Sequence, residues 1–454
     1  MTELRQSIHG EWGSRWAFIL AATGSAVGLG NIWRFPYVVG DHGGGAFILV
    51  YLACILLIGI PVMMAEILIG RRGRQSPINT MRSLPADYGA RPSWQVLGWL
   101  GVVAGFLVLS FYSVVAGWSL AYIPFTATGT FTGADTSTVE GVFEGLLQSP
   151  WQLLFWHTLF MGLTALIVYQ GVQNGLERAV RLLMPVLFLL LLVMVGYGMG
   201  AGAFTEALDF MFTPDFSALT GESVLVAMGQ AFFTLSLGLG AIMAYGSYLS
   251  ARSSIPANSG FIAGADTVIA LLAGLAIFPI VLAAGLDPDS GPGLVFVTLS
   301  YGFGQMPAGA LFGTIFFLLL SFAALTSAIS IMEPATAYLV ETRGWNRPRA
   351  TLAVAGAAWL VGIGSLLAFN AWAGFTIAGL NFQELTEYVS TSIMLPLGGM
   401  LMALFAGWVM PNQITREELG NPSPTWYRTW LVLVRYVVPA AILIVFINSL
   451  GLLG

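Results

Sequence analysis

The chain of 454 residues has no lysine, one cysteine and three histidines, and only 9% of its residues are charged. Each scarcity removes a class of function. The lone Cys54 excludes an intrachain disulfide. His9, His42 and His157 lie far apart, without metal-ligand spacing and without a nucleophile–base pair, so an intramembrane enzyme lacks a reactive constellation. No basic patch is available for nucleic acid. The 57% share of apolar residues is too high for a soluble domain of this length.

What the chain does have is long apolar runs. About 20 apolar residues span a bilayer. Such runs occupy roughly 14–37, 44–70, 93–124, 152–170, 175–198, 222–249, 257–284, 308–341, 348–368, 382–409 and 427–450. They predict an all-α integral membrane protein with eleven transmembrane helices, numbered 1–11 below, in a single domain, residues 1–454. The first 13 residues are polar and lack the layout of a cleaved signal peptide, so helix 1 is expected to be retained. All 17 cations are arginines. Arg5 and Arg15, the group Arg71, Arg72, Arg74, Arg82 and Arg91, then Arg178, Arg181, Arg252, Arg343, Arg347, Arg349, Arg416, Arg428 and Arg435 fall on one side. Only Arg34 falls on the other, where acids such as Asp135, Glu140, Glu144, Asp215 and Asp289 collect. By the positive-inside rule the N-terminus is cytoplasmic, and an odd helix count places Gly454 outside.

Two of these runs are interrupted by glycine: Gly24 to Asn31 in helix 1, and Thr234 to Gly240 in helix 6. Non-helical backbone at membrane depth is tolerated where it lines a protein cavity. Paired breaks in corresponding helices point to an inverted-repeat transporter with a mid-membrane site. Helices 1–5 (14–198) and 6–10 (222–409) would be the two repeats, with helix 11 (427–450) peripheral. Close packing of small residues is the competing explanation for the helix 1 break.

At these residues the chain resembles the neurotransmitter:sodium symporter family, its bacterial amino-acid members most closely. The resemblance rests on Ala26-Val27-Gly28-Leu29-Gly30-Asn31-Ile32-Trp33-Arg34-Phe35-Pro36, on Gly43-Gly44-Gly45-Ala46-Phe47, on Gly229 to Gly238 and on Leu325 to Ser330. It runs from about residue 11 to 450 in the same helix order. It implies the LeuT fold, a five-plus-five inverted repeat with discontinuous helices 1 and 6, in a bacterial inner membrane. It also implies sodium-driven uptake of a small-molecule amino acid or amine.

Residue by residue, the resemblance assigns Ala26, Asn31, Thr234 and Asp266 to one sodium. Gly24, Val27, Ala323, Thr326 and Ser327 go to a second. The substrate pocket would comprise Ala26, Gly28, Leu29, Gly30, Val108, Tyr112, Phe233, Thr234, Ser236, Leu239, Ser327 and Ile331. Physically, amides of Leu29 and Gly30 at a helix start can hold a carboxylate, and hard cations prefer the oxygen ligands that the carbonyls offer. Ser and Thr on a membrane helix otherwise often bond back to their own turn. An apolar lining of Val108, Leu239 and Ile331 favours a neutral, apolar amino acid.

Asp266 is an intramembrane carboxylate, which costs about 3 kcal/mol on insertion scales and so asks for a partner or a proton. It stands where relatives often carry asparagine. Ala270 replaces the serine that chloride-dependent relatives use one turn later. Chloride is therefore expected to be unnecessary, with Asp266 supplying the negative charge. Proton countertransport through Asp266 is the alternative. For the gates, the resemblance pairs Arg34 with Glu387 on the outside, with Glu384 a competitor. It places Trp12, Tyr248 and Glu341 inside. His9 stands where arginine is usual, which weakens the expected pair with Glu341. Either Arg5 substitutes or gating responds to pH below about 6.5. Gly175 and Pro185 would let helix 5 unwind. Glu66 and Glu333 would brace the broken helices. A proton-coupled permease of the same fold and a channel are the competing readings.

Overall fold

The computed structural model describes residues 7–287 and 293–449; Arg5, Asp289 and Gly454 lie outside them. Among the described residues, nine helices are long and apolar enough to cross a membrane. They are Gly45–Gly73 (helix 2), Pro92–Ala127 (helix 3), Pro150–Tyr169 (helix 4), Val172–Met199 (helix 5), Ile255–Ala283 (helix 7), Gly309–Arg343 (helix 8), Arg347–Leu367 (helix 9), Phe382–Val409 (helix 10) and Pro424–Ile447 (helix 11). Helix 1 is a pair, Arg15–Ala26 and Gly30–Asp41, bent by 50°. Helix 6 is also a pair, Gly221–Thr234 and Ala241–Ser247. The expected spans are therefore all helical, and the two expected to break do so.

Local chemistry explains where they start. Ser14, Thr220, Ser254, Asn346 and Asn381 accept from backbone amides as N-caps. Proline opens helices 4, 7, 9 and 11, where its missing N–H costs nothing. On the acidic face, hydroxyl and amide donors from Thr138 and Ser217 hold the Asp135 and Asp215 carboxyls below the ordinary carboxylate range.

The helix 6 break is backbone geometry that a helix cannot adopt. Ser236 (φ 53), Gly238 (φ 84) and Gly240 (φ 73) are all left-handed. Glycine bears this freely, but a residue with a side chain loses about 1–2 kcal/mol there. Ser236 offsets that cost with a hydroxyl bond to the Ser25 carbonyl, 2.8 Å away in helix 1. Glu66 of helix 2, fully buried, accepts from the amides of Gly238 and Met243, both at 3.4 Å. It therefore braces the helix 6 break, as expected.

Helix 2 and the second half of helix 6 meet backbone to backbone. A Cβ added at Gly70 would lie 2.0 Å from the Met243 carbonyl oxygen, and one at Gly246 2.8 Å from that of Ile67. At the arginine-rich end, buried Arg71 joins three segments. It donates to the Glu418 carboxylate at 2.7 Å and to the Ser253 carbonyl at 2.6 Å.

Gly70→Ala is expected to push the two helices apart and cost about 1–3 kcal/mol, as overpacking does. The thermal unfolding midpoint of the purified protein checks this; an unchanged midpoint contradicts the close approach.

Candidate functional site

Between the breaks, polar groups gather in two clusters. The first draws on helices 1, 2, 6 and 7. Asn31, Thr234 and Asp266 are completely buried. The Asn31 amide nitrogen donates to the Asp266 carboxylate at 2.7 Å and to its backbone carbonyl at 3.2 Å. The Tyr51 hydroxyl lies 3.5 Å from the other carboxylate oxygen and 3.3 Å from the Thr234 hydroxyl. Asp266 thus has the partners its depth requires. The Asp266 carboxylate and the Thr234 and Tyr51 hydroxyls are oxygen groups of the kind hard cations take, while the Asn31 amide oxygen accepts from the Gly28 amide at 3.3 Å. Tyr51 was not anticipated: a tyrosine in an apolar run carries no sign of which helix it will face.

The second cluster joins helix 1 to helix 8. The Ser327 hydroxyl lies 3.4 Å from the Gly24 carbonyl oxygen, 3.1 Å from that of Ser25 and 3.3 Å from that of Val27. Thr326 bonds back to the Ala323 carbonyl at 3.0 Å, and a Cβ at Gly24 would stand 3.2 Å from Thr326 Cβ. The five residues expected at a second sodium site are therefore neighbours. Ser25 and Ser330, not singled out by sequence, lock the same seam through a 2.7 Å hydroxyl pair.

The two clusters flank one small cavity of about 20 Å³, room for about one water. Every residue expected in the substrate pocket lines it except Thr234, whose hydroxyl turns to Tyr51. Leu395 of helix 10 joins them unexpectedly. Gly28 is needed for the fit, because a Cβ there would lie 2.4 Å from the Ser327 hydroxyl and 2.9 Å from that of Tyr112. The Leu29 amide donates to the Tyr112 hydroxyl at 3.3 Å.

At the acidic end, the expected Arg34–Glu387 ion pair is not made. Arg34 instead lies over the Phe233 ring, 4.8 Å from its centroid, a cation–π contact. Glu384 is no competitor, since its carboxylate closes a capping box on the Asn381 amide at 2.9 Å. At the arginine-rich end, of the two candidates His9 and Arg5 it is His9 that the described residues place against Glu341. His9 Nε2 reaches Glu341 at 3.0 Å. Glu341 also accepts from the Ser76 amide at 2.8 Å, the Ser76 hydroxyl at 2.5 Å and Asn79 at 2.8 Å. Trp12 donates to the Tyr245 carbonyl at 3.0 Å, and the Gly13 amide to Glu177 at 3.0 Å. Residues 9–14 are thus strapped across helices 5, 6 and 8.

Tyr248 packs on His9 and Trp12, but its hydroxyl donates to Glu333 at 2.8 Å rather than to Glu341. Through Tyr248, which caps the second half of helix 6, Glu333 is tied to a broken helix. It forms a buried, two-point ion pair with Arg347. Helix 5 begins with a wide-turned stretch, Val172–Glu177, after left-handed Gly171. Gly175 sits in that stretch and Pro185 inside the regular helix, so this end is wound, though loosely.

Comparison with known proteins fits this geometry. The profile of the sodium:neurotransmitter symporter family matches residues 9–139 and 141–452. An uncharacterized sodium-dependent transporter of Bacillus subtilis, YhdH, is 38% identical, with 98% of each chain covered. One from Haemophilus influenzae is 34% identical, covering 97% of this chain and 98% of its own. The crystal structure of MhsT in complex with L-phenylalanine superposes with a TM-score of 0.90 at 45% identity, over 97% of this chain and 99% of that one.

Glu341→Gln removes an acceptor from four donors. Amide exchange across residues 9–14 is expected to speed up roughly tenfold, the equivalent of about 1.4 kcal/mol. Exchange no faster than in the unaltered chain contradicts the strap.

Proposed function

The chain belongs to the sodium:neurotransmitter symporter family, and from that premise we propose that it imports a neutral, apolar L-amino acid with sodium by alternating access. One observation carries this reading. A cavity walled by apolar residues and the two backbone breaks lies between two oxygen clusters of the kind that hold hard cations.

In this reading Asn31, Thr234, Asp266 and the Ala26 carbonyl take one sodium. Gly24, Val27, Ala323, Thr326 and Ser327 take the other. The substrate carboxylate meets the Leu29 and Gly30 amides and Tyr112, and its amine meets carbonyls near Ala26 and Phe233. Val108, Leu239, Ile331 and Leu395 receive the side chain. The cavity is too small for an amino acid as it stands, so loading requires its walls to move apart. Phe233 under Arg34 is the lid on one side, and the strap of residues 9–14 is the closure on the other. Two sodium ions and a zwitterion bring +2 into a dry site, which Asp266 lowers to +1; uncompensated charge is costly at low dielectric. With Ala270 in place of a serine, chloride is not required.

The family's sodium dependence and the arginine-rich strap end together favour a bacterial inner membrane with the N-terminus cytoplasmic. Repeats 14–198 and 222–409 rock about the site, and helix 11 stays peripheral.

Proteoliposomes loaded by a sodium gradient test the reading. Sodium-dependent, saturable uptake of an apolar amino acid is expected. Uptake driven by a pH gradient without sodium selects a proton-coupled permease, and unsaturable conductance a channel. Asp266→Asn and Thr326→Val should each raise the sodium concentration for half-maximal uptake roughly tenfold, about 1.4 kcal/mol of lost ion binding. Unaltered sodium titrations in both would remove the site assignment. Replacing chloride by gluconate should leave uptake unchanged, and a severalfold fall rejects chloride independence.

A further inference from the structure

Helix 10 contributes Leu395 to the central cavity. Its main chain is fixed from outside. A Cβ at left-handed Gly238 would lie 2.5 Å from the Leu395 carbonyl oxygen, and one at Gly398 2.8 Å from the Gly238 carbonyl oxygen. Backbone therefore rests on backbone, and Leu395 cannot withdraw from the unwound part of helix 6 without moving helix 10. The wide-turned stretch Tyr388–Met394 ends just before it, and Pro396 follows.

A second cavity of about 170 Å³ lies on the Arg34 side. Phe233 and Leu395 line both cavities, and no other residue does. These two form the partition. Phe233 is held by the guanidinium above it. Leu395 is 2% exposed and has no polar group with which to be tethered.

We propose that Leu395 is a specificity-determining residue, whose isobutyl group ends the compartment for the substrate side chain. Shortening it joins that compartment to the second cavity and admits larger side chains. Enlarging it excludes them. This rests on the amino-acid reading above. In an apolar pocket one methylene changes discrimination by roughly tenfold or more, and Leu395→Ala removes three carbons.

The test uses the full chain, purified in sodium-containing detergent. Alanine, valine, phenylalanine and tryptophan compete with tritiated L-leucine. L395A should favour tryptophan over valine by roughly tenfold more than the unaltered chain does. L395F should disfavour phenylalanine and tryptophan against alanine by a similar factor. L395M, of similar volume, and L225A, which changes only the second cavity, should keep the original ranking. An unchanged ranking in L395A and L395F, with leucine still bound, overturns the proposal. Should L395A not fold, L395F measured against L395M decides. If the unaltered chain binds no amino acid, the proposed function itself fails and this inference with it.

Discussion

A peptide group inside a bilayer has no water to turn to, so each one released from a helix must find a partner within the protein. The two breaks release several such groups at one depth, and most of the central architecture serves them. Glu66 takes amides from the far side of the helix 6 break. Gln230 donates to the Gly30 carbonyl at 2.8 Å. Ser327 offers one hydroxyl to three carbonyls at the end of the first half of helix 1. One hydroxyl cannot satisfy three acceptors, so carbonyl oxygen is in surplus along this seam.

The breaks are also tied to each other. Ser25 accepts from both Ser236 and Ser327 through its carbonyl and pairs with Ser330 through its hydroxyl. Helices 1, 6 and 8 therefore share one small polar seam, and a displacement in any of them is felt by the other two. The ends of the bundle are closed unequally. The strap at the arginine-rich end is held by charged and neutral hydrogen bonds from several helices. The acidic end is covered by an aromatic ring under a guanidinium, with Glu387 free of an ion pair to Arg34. A closure made of one rotatable ring is easier to open than one made of a network.

The spans and both breaks were legible because apolar length and glycine placement act locally. Asp266 was legible because a carboxylate in a bilayer is conspicuous. Tyr51 and Leu395 were not. Each is an ordinary residue in an apolar run, and its importance comes from the helix it meets across the bundle. The departures at the ends have a similar origin. His9 reaches Glu341 because the chain before Trp12 folds back as a strap. Glu333 pairs with Arg347 because the short turn after helix 8 returns that arginine. Glu384 is absorbed by a capping box whose partner, Asn381, stands three residues before it. Family motifs supplied positions but not which acid would meet which base.

In the proposed function, main chain opened at mid-bilayer, together with a few side-chain oxygens, holds alkali cations beside a small solute. Experimental density from the protein in sodium tests it most directly. Interrupted helices are expected at 27–29 and 235–240, with a spherical feature among Asn31, Thr234 and Asp266 and another among Val27, Thr326 and Ser327. Continuous helix through both segments, with no space between them, would contradict it.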